Sequence, residues 1–276
     1  MIKLIVLDID GTIMRNGKTN PEDILALKKA MDQGIVVTLA SGRSSSSMHE
    51  IAANIGIDLV QTPIIGQNGG QVFYFQKDLT PKFVYRSFFV NDETNTLFEL
   101  AKNKKVKLFA YTEKDKWAYV NVKFHPFIWF MKKRSHRKVT NFKLDNPKAY
   151  QVSKMVAFGS KKKMNKFRKE VEAMGFPAFA FSYVSNAAAN IEIVPKGINK
   201  SIGLAKVAEL LKINQNEVLY FGDGENDIEA IQWAGTGVAM GNAKDKIKNV
   251  ANDVTLSFYE AGVAHYLNEQ IFKEDW

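Results

Sequence analysis

The run Leu4-Ile5-Val6-Leu7, followed at once by Asp8-Ile9-Asp10-Gly11-Thr12, constrains this chain more than any other feature. Four consecutive apolar residues read as a strand buried on both faces, the pattern of a parallel sheet. A buried strand gains nothing from two carboxylates at its tip, so Asp8 and Asp10 call for another explanation. The same grammar recurs. Residues 35–40 form an apolar run that ends in Ser41-Gly42-Arg43, and residues 63–66 form one that ends in the turn signal Asn68-Gly69-Gly70. Residues 218–221 run into Gly222-Asp223-Gly224-Glu225-Asn226-Asp227, and 236–240 form a last run.

Helix signals lie between these strands. Asn20 is placed to cap a helix with Pro21 in its first turn and two acids at the positive end of the dipole. Asn199 is placed to cap a second helix, over 200–211. Strands alternating with helices predict an α/β fold, a doubly wound Rossmann-like parallel sheet with right-handed crossovers.

Between about 81 and 184 the pattern changes. The segment is rich in aromatics, with short strand-like runs at 83–90, 117–122 and 152–158 and helices at 93–103 and 161–174. It reads as an α+β unit with an antiparallel sheet. A strand at 191–194 is then expected to resume the first pattern. The predicted organisation is a core of 1–80 and 188–276 interrupted by an inserted domain, 81–187; 276 residues suffice for two cores. Charge follows the same division. The insert holds 23 Lys and Arg against 8 Asp and Glu, the remainder 15 against 21, within a net charge of +9. Such asymmetry attracts anionic partners.

The absence of cysteine excludes disulfides, thiolate metal sites and a cysteine nucleophile. No apolar run is long enough to span a bilayer and no secretory signal is seen, so a cytoplasmic chain without a membrane partner is expected. Trp117, Tyr119 and Trp129 beside basic residues could stack bases, but no nucleic-acid motif accompanies them and no such partner is expected. The four histidines (49, 125, 136, 265) lie outside the motifs and read as structural or surface groups.

In doubly wound sheets, ligands bind outside the carboxyl ends of the strands. The unusual polar groups all fall there: Asp8 and Asp10, Ser41 and Gly42, and Asp223, Asn226 and Asp227, with Lys200 opening a helix. A calcium loop is excluded because Ile13 stands where that loop needs glycine. Crowded carboxylates raise one another's pKa unless a cation joins them, and Mg2+ takes oxygen ligands together with substrate phosphate. A lysine, a hydroxyl and helix N-termini suit the remaining phosphate oxygens. Together they point to phosphoryl transfer with a carboxylate nucleophile.

Taken in order, Asp8-Ile9-Asp10-Gly11-Thr12, Ser41 in "LASGR", Lys200 in "PKGINKSIGL" and "GDGENDI" resemble the motifs of the haloacid dehalogenase superfamily of aspartate-nucleophile phosphatases. Within it the chain is similar to the Cof-type group, whose large inserted α+β cap is of class IIB. The resemblance spans the whole chain. It implies Asp8 as nucleophile and Asp10 as general acid and base. It implies Mg2+ held by the Asp8 carboxylate, the Asp10 carbonyl and Asp223, with Thr12 and Asp227 supporting from behind. Phosphate would meet Ile9 and Gly42 amides, Ser41, Lys200 and Asn226. The implied activity is hydrolysis of a small phosphorylated metabolite. A sugar phosphomutase and a non-enzymatic anion-binding module are the alternatives.

Overall fold

The computed structural model describes residues 1–114, 116–144, 150–181 and 188–273. The chain forms two compact units, Met1–Arg86 with Asn199–Trp276, and Ser87–Ile198.

The first unit is built on a five-stranded, all-parallel sheet in the order Asp253–Val254, Thr236–Ala239, Val218–Gly222, Leu4–Leu7, Val36–Leu39. Its two faces carry separate apolar clusters. Ile5, Leu7, Leu219 and Phe221 pack on one side with Leu27 and Ala30 of the helix Pro21–Asp32. Leu4, Val6, Val218 and Tyr220 pack on the other with Leu204 and Val207 of the helix Lys200–Leu211. Helices therefore cover both faces, as the continuous apolar strands require, and each fully buried Leu, Ile or Val contributes about 1.5–3 kcal/mol. Both expected caps form: Asn20 accepts from the Glu22 N–H, and Asn199 from those of Ser201 and Ile202.

Register positions the chemistry. Leu7 pairs with Phe221 on one side and Leu39 on the other, so three neighbouring strands end nearly level. Asp8, the Gly222-Asp223 pair and the Ala40-Ser41 pair leave the sheet at the same edge.

The run at 63–66 differs from expectation. The strand Ile64–Gly66 pairs antiparallel with Gln71–Phe75, which pairs with Pro81–Arg86. It meets the parallel sheet through a single bridge, Ala40 to Ile65, and a 2.6 Å hydrogen bond from Thr38 Oγ1 to the Pro63 carbonyl.

The second unit holds a six-stranded sheet in the order Lys138–Asn141, Trp117–Val120, Lys107–Thr112, Val152–Ser160, Ala188–Ile193, Ala178–Phe181. All its pairings are antiparallel except that of the first two strands. Helices Asn91–Asn103 and Lys161–Ala173 pack on one face, with Leu97, Phe98, Met164 and Phe167 against Leu108, Met155 and Ala157. The helix Pro126–Ser135 covers the other, with Phe127, Ile128 and Met131 against Phe109 and Val156.

Two boundaries depart from the expected 81–187. The strand Pro81–Arg86 stays with the first unit because its partner is Gln71–Phe75. The run expected to resume the first pattern at 191–194 instead belongs to the second sheet: Ala188–Ile193 lies between Val152–Ser160 and Ala178–Phe181. The expected switch at 187/188 adjoins 182–187, which lie outside the described residues, as does the end of the altered pattern at 184. No helix among the described residues is long and apolar enough to cross a membrane.

Candidate active site

The turn after the first strand is tight. The Ile9 carbonyl accepts from the N–H groups of Ile13 and Met14, the Gly11 N–H donates to the Met14 carbonyl, and the Ile9 side chain fills the core. Gly11 adopts φ +103°, and a Cβ there would lie 2.2 Å from a carboxylate oxygen of Asp223. Only glycine allows both the turn and that approach. Gly222 likewise makes room for Asp227, whose carboxyl carbon would be 2.5 Å from a Cβ.

Lys200 lies at the centre, its ammonium fully buried. Its Nζ donates to Asp8 Oδ1 at 2.5 Å and to Asp227 Oδ1 at 2.6 Å. Asp227 organises the loop. Its Oδ1 also accepts from the Tyr220 hydroxyl at 2.6 Å, and its Oδ2 accepts from the N–H groups of Asp223 and Gly224. Both oxygens of Asp227 are thus engaged by the protein. Asp223 is held differently: Asn242 Nδ2 donates to its Oδ2 and to the Gly11 carbonyl, both at 3.0 Å, while Asn242 Oδ1 accepts from the Phe258 N–H.

The remaining expected residues surround this centre. Asp10 is forked by Arg43, whose Nε and terminal nitrogen lie 2.8 and 2.6 Å from its two carboxylate oxygens. Buried Ser41 accepts from the Arg43 N–H through Oγ. Asn226 Nδ2 donates to Asn68 Oδ1 at 2.8 Å. Thr12 is fully buried, and its Oγ1 has no partner. Gly42 is half-buried beside Ser41.

Ligand atoms of Asp8, Asp223 and Asp227 fall within 4.8 Å of one another. Burial pushes the Asp8 carboxyl well above the usual carboxylate range, more than the Lys200 ammonium pulls it down, and Asp227, Asp223 and Asp10 add repulsion. Asp223 is pushed up to about 7 by burial and by Asp227, against the pull of Lys200 and Arg15. Burial disfavours the Lys200 charge, but Asp227 and Asp8 outweigh it and hold the pKa above the ordinary lysine value. Tyr220 is raised far above its usual value by burial and by Asp227, so it remains a donor. The donor set is all oxygen. Four aspartates stand against the charges of Lys200, Arg43 and Arg15, and the deficit falls on Asp8 and Asp223. A hard divalent cation fits that set.

Arg43, Asn68, Tyr220 and Asn242 were not read as site residues from sequence, Asn68 being taken only as part of a turn signal. Arg43 stood inside the quoted "LASGR" and could have been found there. Tyr220 is an apolar-strand residue by pattern, and Asn242 lies in a loop with no distinguishing spacing.

A model of a family described as haloacid dehalogenase-like hydrolase matches residues 5–267. The chain is 27% identical over 272 residues to the 5-amino-6-(5-phospho-D-ribitylamino)uracil phosphatase YitU of Bacillus subtilis, covering 96% of each chain. It is 27% identical over 264 residues to YcsE of the same organism, a protein of the same described activity, covering 95% of this chain and 93% of that one. Among solved structures, a haloacid dehalogenase-like hydrolase from Bacteroides thetaiotaomicron superposes with a TM-score of 0.77 at 26% identity, over 98% of this chain and 99% of that one.

Proposed function

The chain belongs to the haloacid dehalogenase-like hydrolase family, and from that premise we propose that it is a Mg2+-dependent phosphatase of small phosphorylated metabolites, with Asp8 as nucleophile. The observation that supports this reading best is the buried Asp8–Lys200–Asp227 array at the strand ends, with Asp223 beside it. A structural ion pair would satisfy its charges internally. Here Asp8 keeps one oxygen outside the Lys200 bond, and Asp223 is restrained by the neutral amide of Asn242.

Asp8 and Asp223 through their carboxylates, and Asp10 through its carbonyl, would hold the Mg2+. Bound there, the ion neutralises phosphate charge and screens the carboxylates from one another. Lys200 orients Asp8 and offers positive charge to a phosphate oxygen. An Asp8 oxygen attacks phosphorus, the P–O bond to the leaving group breaks, and Asp10 gives that oxygen a proton. Asp10 then takes a proton from water, which attacks the phosphorus and releases phosphate from Asp8. The Arg43 fork suits the base half of this cycle: to act as acid, Asp10 must first take a proton and loosen from the guanidinium. Ser41, the Ile9 and Gly42 amides and Asn226 complete the proposed phosphate cradle. The inserted unit is the proposed source of substrate specificity.

The test is release of phosphate from a panel of sugar phosphates, nucleotides and 5-amino-6-(5-phospho-D-ribitylamino)uracil, with and without Mg2+. Mg2+-dependent release by the wild type and none by a folded Asp8→Asn variant is expected. Equal release by the two proteins overturns the assignment of Asp8. Release dependent on a bisphosphorylated activator would favour a mutase.

A further inference from the structure

The second unit contains a cavity of about 450 Å³ lined by Lys105, Lys107, His125, Phe158, Gly159, Ser160 and Lys163. It lies at the far end of the strand Val152–Ser160 from Val152, whose carbonyl accepts from the Phe89 N–H where the chain enters the unit. No acid lines it. Four cations elsewhere in this unit are paired, Lys104 with Glu170, Lys154 with Glu192, Arg168 with Glu172 and Lys196 with Glu93. Lys105, Lys107 and Lys163 have no acidic partner among the described residues.

Three more donors converge there. Ser160 is the N-cap of the thirteen-residue helix Lys161–Ala173, yet its side chain makes no capping bond. That helix carries no acid in its first turn; Lys161, Lys162 and Lys163 occupy it instead. Cations at a helix N-terminus oppose the dipole, so an uncompensated cluster marks a place where local stability yields to another demand. The helix Asn91–Asn103 shows the ordinary arrangement, with Asp92 and Glu93 in its first turn. His125 Nδ1 accepts from the Phe127 N–H at 3.2 Å, so a neutral ring carries its proton on Nε2 as a donor. Burial and the charge of Lys107 lower the His125 pKa and favour that neutral ring. Phe158 stacks on Phe127 with ring centroids 4.4 Å apart, which gives the cavity a rigid apolar wall.

We propose that this cavity is a second anion site that binds a phosphate group through Lys105, Lys107, Lys163, Ser160 and His125. The phosphate would be carried by an effector separate from the substrate.

The test uses the full chain, labelled with nitrogen-15 and titrated with inorganic phosphate, then with sodium chloride at matched ionic strength. The signals followed are His125 Nε2 and the amides of Lys161, Lys162 and Lys163. Saturable shifts with phosphate alone are expected. Lys107→Gln/Lys163→Gln should weaken that binding about tenfold, equivalent to about 1.4 kcal/mol. Lys166→Gln/Lys169→Gln removes the same charge from positions that do not line the cavity and should leave it unchanged. Equal shifts with sodium chloride, or equal weakening by the control pair, overturn the proposal. These nuclei lie in the second unit, so the outcome does not depend on whether Asp8 is the nucleophile. Kinetics test the functional role. Lys107→Gln/Lys163→Gln should keep the wild-type KM and lose the response to added pyrophosphate. The same response in both proteins overturns a functional role.

Discussion

Replacing Asp23 by Asn should make the protein more stable at mildly alkaline pH. Asp23 lies in the first turn of the helix Pro21–Asp32 and is fully buried. Its Oδ1 accepts from the Ala264 N–H at 2.8 Å, at the start of the helix Gly262–Tyr266, and its Oδ2 has no partner. Burial dominates and raises the carboxyl from 3.8 to about 7, although the Ala264 and Val263 amides pull it down; Glu22 adds repulsion. The folded state therefore binds the proton more tightly than the unfolded chain. The stability linked to this group is fully present below about pH 4, declines as pH rises towards about 7, and is flat above. At about 1.36 kcal/mol per tenfold change in proton affinity, the full span is up to about 4 kcal/mol. Asn keeps the Ala264 acceptor and carries no charge. Urea unfolding of both proteins at about pH 5 and about pH 8 isolates the effect, because titrations elsewhere cancel in the difference between them. The variant should gain on the wild type by about 2–4 kcal/mol between the two conditions. A difference that does not change with pH, or that favours the wild type more at the higher pH, refutes the reasoning.

Three further outcomes are expected. Gly11→Ala should displace Asp223, since the new Cβ would overlap its carboxylate and the backbone lies at φ +103°; Mg2+ affinity measured by calorimetry should fall at least tenfold, or about 1.4 kcal/mol. Lys200→Met leaves Asp8 and Asp227 buried without their shared cation and should cost about 3–5 kcal/mol in urea unfolding without metal; an unchanged midpoint would contradict that. Asp10→Asn should slow transfer from an alkyl phosphate by about 10²–10⁴-fold in single-turnover measurements. The loss should be much smaller with p-nitrophenyl phosphate, whose leaving group needs no proton.

The polar edge of the parallel sheet was legible because its signals are local. A buried parallel strand must be apolar, so acids at its tip stand out, and the sequence alone places Asp8, Ser41 and Asp223 at one edge. Register then joined them, through the pairing of Leu7 with both Phe221 and Leu39. The caps Asn20 and Asn199 were legible for the same local reason. What escaped depends on contacts distant in sequence. Asn242 reaches Gly11 across 231 positions, and Asn68 reaches Asn226 across 158. The run 191–194 was assigned to the wrong sheet, although its alternation was visible: Ile191 and Ile193 are buried in the core, and Glu192 pairs with Lys154 on the opposite face. A half-polar strand suits an antiparallel sheet, not a parallel one covered on both sides. The helix Pro126–Ser135 went unread because Trp129 and Phe130 are exposed, which blurs the apolar face formed by Phe127, Ile128 and Met131.

The account rests on Asp8 becoming covalently phosphorylated. The most direct measurement mixes enzyme, Mg2+ and the best substrate of the panel, quenches in acid within a single turnover, and weighs the peptides. A peptide containing Asp8 should gain the mass of one HPO3 group in the wild type, and no peptide should gain it in Asp8→Asn. Full turnover with that peptide unmodified at every quench time, or the added mass on another residue, would contradict the account.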